Sequence, residues 1–216
     1  MTITISQDFS GVTAWVFDLD NTLYPPQARL FDQIEHLMHR YVMRELNLSE
    51  SDASHLRKRY WMEHGTTLNG LMQNHGIHPD PFLEEVHDID LTHLTEDERL
   101  GAAISALPGR KIVYTNGSRK HGERVTAARG LNGVFDAIFG IEDADYIPKP
   151  QADAFAKVFA KAAIAPIGAA MFEDDARNLK VPYEWGMKTV LVGPAEDAPY
   201  APDQTEHLAA FLEALT

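Results

Sequence analysis

Two aspartates that stand two positions apart, Asp18 and Asp20, directly follow the apolar and aromatic run of residues 12–17. The run predicts a buried β-strand, so the acid pair falls where that strand ends and the chain turns. Two carboxylates brought together there repel each other unless a cation lies between them, and hard oxygen ligands suit Mg²⁺. A carboxylate can also act as a nucleophile and form an acyl phosphate. The pair therefore indicates phosphoryl-transfer chemistry, although two acids after a strand can also be an ordinary acidic turn.

Further polar residues follow the later apolar runs of the chain, namely Thr115, Asn116, Gly117, Lys149, Asp174 and Asp175. In an open α/β sheet, ligands bind outside the carboxyl ends of the strands. We therefore expect these groups to converge on Asp18 and Asp20. Each group alone is weak evidence for a functional site. Their order along the chain and their common position at the predicted edge of the sheet argue against a chance arrangement.

The residue types suggest a role for each group in cleaving a phosphate ester. Asp18 would attack phosphorus, and Asp20 would protonate the leaving oxygen and then deprotonate the hydrolytic water. Thr115, with Asn116 and Gly117 in the same turn, would hold a phosphoryl oxygen at the N-terminus of a helix. These five residues are the candidate catalytic and phosphate-binding groups.

Positive charge at this site would come from a lysine and a metal ion. Lys149 would neutralise charge on Asp18 and on the phosphate. Asp18 and Asp174 could chelate Mg²⁺, with the backbone carbonyl of Asp20 nearby and Asp175 acting directly or through water. The sequence therefore predicts a magnesium site that shares Asp18 and Asp20 with the catalytic groups, to which Lys149 also belongs.

The elements that must position these residues follow two patterns. Helical periodicity dominates up to residue 107, with an amphipathic helix over residues 30–46 and capping boxes that start at Ser49 and Thr95. Beyond it, short apolar strands alternate with helices, which predicts right-handed βαβ units. The predicted strands cover residues 12–17, 111–114, 135–139, 169–172 and 189–192, and the predicted helices cover residues 119–129, 153–163, 178–185 and a short terminal stretch after a Pro-rich tail.

This alternation predicts an α/β protein with a doubly wound parallel sheet. Residues 1–24 and 108–216 would form the Rossmann-like core that carries the sheet. Residues 25–107 would form a helical cap domain, inserted after the first strand.

Composition narrows the classes of function. The 216 residues carry a net charge of −13 and include no cysteine. The negative charge argues against a nucleic acid or an anionic membrane as partner, and the lack of cysteine excludes thiol catalysis, disulfides and thiolate zinc sites. Residues 1–6 have neither a basic stretch nor a long apolar core, so we expect no signal peptide and a cytoplasmic location.

The polar groups at the strand ends resemble the motifs of the haloacid dehalogenase (HAD) superfamily of phosphohydrolases. Residues 18–22 resemble its first motif, Thr115 its second, Lys149 its third, and Asp174 with Asp175 the paired-acid form of its fourth. The resemblance implies a capped Rossmann-like core and phosphoester hydrolysis through an aspartyl phosphate, with Mg²⁺ as cofactor. The second acid of the first motif favours phosphate esters, because dehalogenases of the superfamily lack it.

A closer similarity is to the pyrimidine 5′-nucleotidase-like branch of this superfamily. It lies in residues 20–26, in the cap segment 60–71 and in residues 172–179. It implies a small phosphorylated metabolite, a nucleoside 5′-monophosphate, as substrate. Since a cap supplies selectivity in such enzymes, Thr66 and Thr67 are the candidate substrate-binding residues there, although their segment can also be a plain corner between helices.

Other functions stay open from the sequence. A phosphatase of sugar phosphates or other small metabolites, or a phosphosugar mutase, would retain the same acids. A catalytically silent, phosphate-binding protein of the same fold is the non-enzyme alternative. A signalling receiver domain uses similar groups on a doubly wound sheet, but it is shorter and carries its paired acids first, so the order found here argues against it.

Overall fold

The structure is a computed structural model that describes residues 5–216. Residues 1–4, on which part of the signal-peptide expectation depends, lie outside the described residues. None of the helices formed by residues 5–216 combines the length and the apolar character that crossing a membrane requires.

Six parallel strands form a single sheet, which confirms the predicted doubly wound α/β fold. The strands are β1 (Ala14–Phe17), β2 (Arg110–Tyr114), β3 (Ala137–Phe139), β4 (Ala169–Glu173), β5 (Lys188–Val192) and β6 (Asp203–Thr205). Their order across the sheet is β3-β2-β1-β4-β5-β6. In this order the chain reverses direction across the sheet beside β1, where doubly wound proteins bind their ligands.

Alternate residues of β1 pack into separate apolar layers on the two faces of the sheet. Trp15 and Phe17 belong to one layer, where the ring of Phe17 stacks on that of Phe172 at a centroid distance of 4.8 Å. Val16 belongs to the other layer, together with Phe155. Because both faces are covered, the strands read as continuous apolar runs. The packing of these two layers holds the strands in place, so the polar residues emerge together at one edge of the sheet.

Helices cover the sheet and extend beyond its carboxyl edge. Those that follow β2 are α6 (Arg119–Ala128), α7 (Ala152–Ala162), α8 (Ala176–Glu184) and α9 (Leu208–Glu213), and those between β1 and β2 are α1 (Leu30–Leu46), α2 (Glu50–His64), α3 (Thr67–His75), α4 (Pro79–Val86) and α5 (Glu98–Ala106). We call α1–α4 the cap. The helical cap after the first strand is thus confirmed.

Of the two predicted helix caps, the one at Ser49 is present in the structure and the one at Thr95 is not. Ser49 caps α2, since its side chain accepts a hydrogen bond from the amide of Asp52, as predicted. The prediction for Thr95 is wrong, because α5 begins two residues later, with Asp97 accepting from the amide of Leu100 at 2.9 Å. Aspartate is a better N-cap than threonine, which favours the observed start of α5, whereas the glutamate three residues after Thr95 suggested the earlier start.

Helix α5 lies within the range predicted as cap, yet it packs against α9 beside the sheet. Arg99 of α5 also pairs with Glu213 of α9 at 2.7 Å. The helices of the cap contact one another instead. The boundary between core and cap that we placed at residue 107 stays a prediction.

Strand β6 is an element that the sequence analysis did not predict. Its three residues, Asp203–Thr205, are polar or charged and follow a Pro-rich tail, so they show no apolar alternation. The strand pairs with β5 at the edge of the sheet. The carboxylate of Asp203 accepts hydrogen bonds from the side chain and the backbone amide of Gln7, which anchors the strand to the amino-terminal segment.

Candidate active site

The predicted site residues lie at the carboxyl edge of the sheet because of the strand register. Phe17, the last residue of β1, pairs with Val113 on one side and with Phe172 on the other. Asp18 therefore emerges beside the ends of β2 and β4. Immediately after it the chain turns back at Asn21, whose φ of 61° lies in the left-handed region that asparagine tolerates.

Lys149 and two acids form a buried ion-pair cluster at this edge. The Lys149 ammonium donates to Oδ1 of Asp18 and to Oε2 of Glu173, each at 2.6 Å, and to the carbonyl of Tyr114 at 3.1 Å. These three acceptors use all three of its protons. The other oxygen of Asp18 accepts from the hydroxyl of Thr22 at 3.1 Å. Both oxygens of Asp18 are thus held in place.

Asp20 is held by a different set of donors. The hydroxyl of Tyr24 lies 2.6 Å from its Oδ1, and Nε2 of His121 lies 2.9 Å from the same oxygen. Burial raises the pKa of Asp20, but the charge and hydrogen bond of His121, with the hydrogen bond of Tyr24, outweigh that effect and lower the pKa overall. The structure therefore brings Asp20 to the same pocket as Asp18 but in a separate hydrogen-bond network.

The turn after β2 presents Thr115 to the same pocket. Its hydroxyl oxygen accepts from the amide of Gly117 at 2.8 Å, which leaves the hydroxyl proton available for donation. A Cβ atom at Gly117 would lie 3.3 Å from that oxygen, so a glycine at this position allows the turn to pass close to the Thr115 hydroxyl. The side chain of Asn116 bonds both the amide and the carbonyl of Lys149, at 2.8 and 3.2 Å. Asn116 therefore fixes the Lys149 loop through its side chain.

Three acids could hold a metal ion. Carboxylate oxygens of Asp18, Glu173 and Asp174 lie within 4.8 Å of one another. Burial and the charge of Asp18 raise the pKa of Asp174 to about 7, and the same two causes raise the pKa of Glu173. Both shifts arise first from burial and then from the neighbouring negative charge, which Lys149 only partly balances. Hard oxygen donors in an acidic cluster fit a divalent cation such as Mg²⁺.

The other two residues predicted for the metal site, Asp175 and Asp20, have carboxylates that bond to protein groups. Their predicted roles, directly or through water for Asp175 and through the backbone carbonyl for Asp20, stay predictions. Asp175 caps α8 by accepting from the amide of Arg177 at 3.0 Å, and its carboxylate also pairs with the Arg177 guanidinium. The carboxylate of Asp20 takes the Tyr24 and His121 bonds described above. Neither carboxylate belongs to the acidic cluster of Asp18, Glu173 and Asp174.

A cavity of about 310 Å³ connects these groups to the cap. The cap lines it mainly with apolar side chains, namely Phe31, Ile34, Met38, Trp61, Leu68, Phe82, Leu83 and Val86. Thr66 and Thr67 also line it, and Thr66 additionally caps α3 by accepting from the amide of Asn69 at 3.1 Å. Their segment is therefore both a corner between helices and a wall of the cavity.

Two kinds of site residue escaped the sequence analysis. Glu173 is the last residue of a buried strand, and only the register of β4 beside β1 shows that it meets Lys149. His121 and His87 are not among the predicted site residues, yet both are buried and both approach the turn at Gly117. The position of His121 in the first turn of the helix after Thr115 is the signal that could have found it.

A family model of haloacid dehalogenase-like hydrolases matches residues 12–181. The match covers most of the chain, so the protein belongs to this family. Phosphate metabolism protein 8 of Saccharomyces cerevisiae is 25% identical over an alignment of 194 positions that covers 81% of this chain. The chain spans 60% of the length of that curated relative.

Solved structures share the fold at low identity. A HAD phosphatase from Thermococcus onnurineus has a TM-score of 0.62 at 16% identity, covering 94% of this chain and 98% of that chain. A HAD hydrolase from Bacillus subtilis, bound to magnesium, has a TM-score of 0.60 at 16% identity, with coverages of 95% and 99%. The L-2-haloacid dehalogenase of Xanthobacter autotrophicus reaches 0.55 at 17%, with coverages of 94% and 88%. These similarities show the fold alone.

Proposed function

We propose that this hydrolase is a phosphomonoesterase that forms an aspartyl phosphate on Asp18. The observation that carries the proposal is the pair of carboxylates, Asp18 and Asp20, at one end of the cavity with separate hydrogen-bond partners. A displacement followed by hydrolysis needs a nucleophile and an acid–base group with different tasks. The structural relatives include a phosphatase and a dehalogenase, so these two residues, rather than the fold, distinguish the chemistry.

In the first step Asp18 forms a bond to phosphorus as the bond from phosphorus to the leaving oxygen breaks. Asp20 gives its proton to that oxygen, and the product alcohol departs. In the second step Asp20 takes a proton from water, which attacks the aspartyl phosphate, so that inorganic phosphate leaves and Asp18 is regenerated. The two steps consume one water and leave the enzyme unchanged.

The other polar groups would bind and orient the phosphoryl group. The free hydroxyl proton of Thr115 and the amide of Asn116 are the candidate donors to its oxygens. Lys149 holds Asp18 in a fixed orientation by its 2.6 Å bond. Asp18 and Asp174 are the acids we propose to hold Mg²⁺, which supplies charge neutralisation to the phosphoryl oxygens when bound.

The proposed substrates are nucleoside 5′-monophosphates, with pyrimidine nucleotides preferred. The apolar lining of the cavity, with Phe31 and Trp61 among it, offers surfaces on which a planar base can pack. Thr66 and Thr67 add the polar groups on the cap side. A small phosphorylated metabolite is thus the proposed partner, and neither a nucleic acid nor a membrane is proposed.

A phosphate-release screen with Mg²⁺ tests the function. It should compare nucleoside 5′-monophosphates, sugar phosphates and an aryl phosphate, with a 2-haloacid included to detect dehalogenation. We expect hydrolysis of the phosphate esters and no halide release. Halide release without phosphate release would overturn the phosphatase assignment. Sugar phosphates hydrolysed better than uridine and cytidine monophosphates would overturn only the nucleotide preference.

A further inference from the structure

Asp20 receives both of its described hydrogen bonds on one oxygen. The Tyr24 hydroxyl and Nε2 of His121 approach Oδ1, at 2.6 and 2.9 Å. Among residues 5–216, no group donates to Oδ2. The Asp20 side chain keeps 16% of its surface exposed in the cavity wall, whereas the His121 side chain has none. The carboxylate is therefore asymmetric, with one oxygen bound to the protein and the other free.

This asymmetry settles the proton positions. A carboxylate oxygen only accepts, so the Nε2 atom of His121 carries a proton and donates it to Oδ1. An Oδ1 that already accepts two hydrogen bonds is the poorer place for the proton of the acid form. The transferable proton of Asp20 therefore resides on Oδ2, the oxygen left for the substrate. The two donors thus fix which oxygen acts and in which direction it points.

The imidazole of His121 is itself held by His87, the C-terminal capping residue of the cap helix α4, which we count with the cap. The ring of His87, which directly follows α4, stacks on it with a centroid distance of 4.3 Å and an interplanar angle of 13°. Nδ1 of His87 also lies 3.1 Å from the hydroxyl of Ser118, the residue that caps α6. The guanidinium of Arg124 donates to the carbonyls of His87 and Ile89, which ties the end of α4 to α6.

We propose that His121, together with Tyr24, is a positioning residue that orients Asp20 for proton transfer, and that His87 of the cap secures His121 by stacking on it. The inference depends on the proposed function, because the orientation of Asp20 matters only if Asp20 transfers a proton. It adds to that function a link from the cap to the acid–base group. The cap then contributes to catalysis as well as to substrate selection.

The kinetic test compares an aryl phosphate, whose leaving oxygen needs little protonation, with a simple alkyl phosphate, whose leaving oxygen needs full protonation. His121→Met removes the donor, and His121→Gln keeps an N–H. We expect His121→Met to lower kcat on the alkyl phosphate by about 10–100-fold, with little change on the aryl phosphate. The loss should stay at or below the lower end of the roughly 10²–10⁴-fold contribution of general acid–base catalysis, because Asp20 itself is retained. His121→Gln should restore most of the loss.

The matched control is Thr126→Val, a buried substitution in the same helix that also removes a hydrogen bond, to the carbonyl of Gly122. It should leave the ratio of the two rates unchanged. In an Asp20→Ala background, His121→Met should cause no further loss, because its effect passes through Asp20. Equal losses on both esters, or a further loss in that background, would overturn the positioning role.

A crystal structure of His121→Met separates this inference from the proposed function. The Asp20 carboxylate should rotate away from its position in the wild-type protein, and an unmoved carboxylate would overturn the inference even in an active enzyme. If the variant fails to fold, Tyr24→Phe removes the other donor to Oδ1 without changing the ring and should give the same selective loss. His87→Leu should give a smaller loss of the same kind, and an unchanged rate ratio there would overturn the role of the cap.

Discussion

Asp18 differs from the neighbouring acids in the hydrogen bonds that its two carboxylate oxygens accept. Lys149 holds one oxygen and Thr22 the other, so the carboxylate is fixed at the end of β1 with its charge only partly balanced. Burial raises its pKa more than Lys149 lowers it. A fixed, buried carboxylate loses little freedom on attack, which is what a nucleophile requires.

Replacing Asp18 by Asn should remove this chemistry while keeping the shape of the side chain. We expect kcat on an aryl phosphate to fall by several orders of magnitude, because the amide cannot form the acyl phosphate. Thermal unfolding of the variant should show that the fold survives. Near-normal turnover in Asp18→Asn would exclude Asp18 as the nucleophile.

At the level of single residues, the sequence predicted the positions of those site residues that lie at the ends of strands or in the loops beside them. Asp18, Thr115 and Lys149 follow apolar runs or lie in the loops between them, and the topology of a parallel sheet brings those places together. Glu173 and His121 were not predictable, because their contacts depend on register and on the rotation of a helix. Neither is visible in the spacing of residues along the chain.

The two chain segments that join the core to the cap both accept hydrogen bonds from one buried arginine, Arg129. The guanidinium of Arg129, at the end of α6, donates to the carbonyl of Leu23, to the carbonyl of Thr95 and to the carboxylate of Asp97. Leu23 lies on the chain leading from β1 to the cap, and Thr95 and Asp97 lie on the chain that returns from the cap toward α5. Arg129 therefore fixes both connections to the core.

Asp97 should contribute measurably to stability, since it caps α5 and also pairs with Arg129 at 2.6 Å. Asp97→Ala should lower the free energy of unfolding by about 1–2 kcal/mol, the upper part of the range for a lost N-cap. Urea unfolding measures this change. Asp97→Asn keeps the cap and should recover part of it. An unchanged free energy of unfolding in Asp97→Ala would contradict both the capping and the pairing role of Asp97.

The start of α3 is the element through which we expect the cap to select substrate. Thr67→Val exchanges a hydroxyl for a methyl group in the cavity wall and should raise KM for a nucleotide. Hydrolysis of a small aryl phosphate, which would not reach the cap, should change little. Ser49→Ala serves as the control for structure, because it removes the N-cap of another cap helix, α2, away from the cavity lining, and should cost about 1 kcal/mol of stability. Unchanged nucleotide kinetics in Thr67→Val would leave this segment a structural corner.

For the whole molecule, the fold built on the sheet of six parallel strands is similar to solved structures only 16% identical to this chain, with TM-scores of 0.60 and 0.62. The alternation of strands and helices was enough to predict that architecture, because parallel strands require helical crossovers. Strand β6 escaped prediction because an edge strand of three polar residues is specified by the neighbouring β5 rather than by its own sequence. The cap was predictable as helices, but its apolar cavity was not.

The acidic cluster leads us to expect that Mg²⁺ stabilises the folded chain. Asp18, Glu173 and Asp174 place three carboxylates within reach of one cation, with Lys149 as the facing positive charge. A cation that binds the folded state and not the unfolded chain stabilises the protein by mass action. At about 100 times its dissociation constant, Mg²⁺ should therefore raise Tm by about 5–10 °C for a chain of this size.

Two matched substitutions show which acids are responsible for that shift. Asp174→Asn should abolish the Mg²⁺-dependent rise in Tm, because Asp174 belongs to the cluster. Asp175→Asn should keep it, since Arg177 already occupies the Asp175 carboxylate. Differential scanning calorimetry with Mg²⁺ and with chelator measures both. If Asp175→Asn lost the rise and Asp174→Asn kept it, the cation would have to be assigned to Asp175, and the ion pair with Arg177 would have to open on binding.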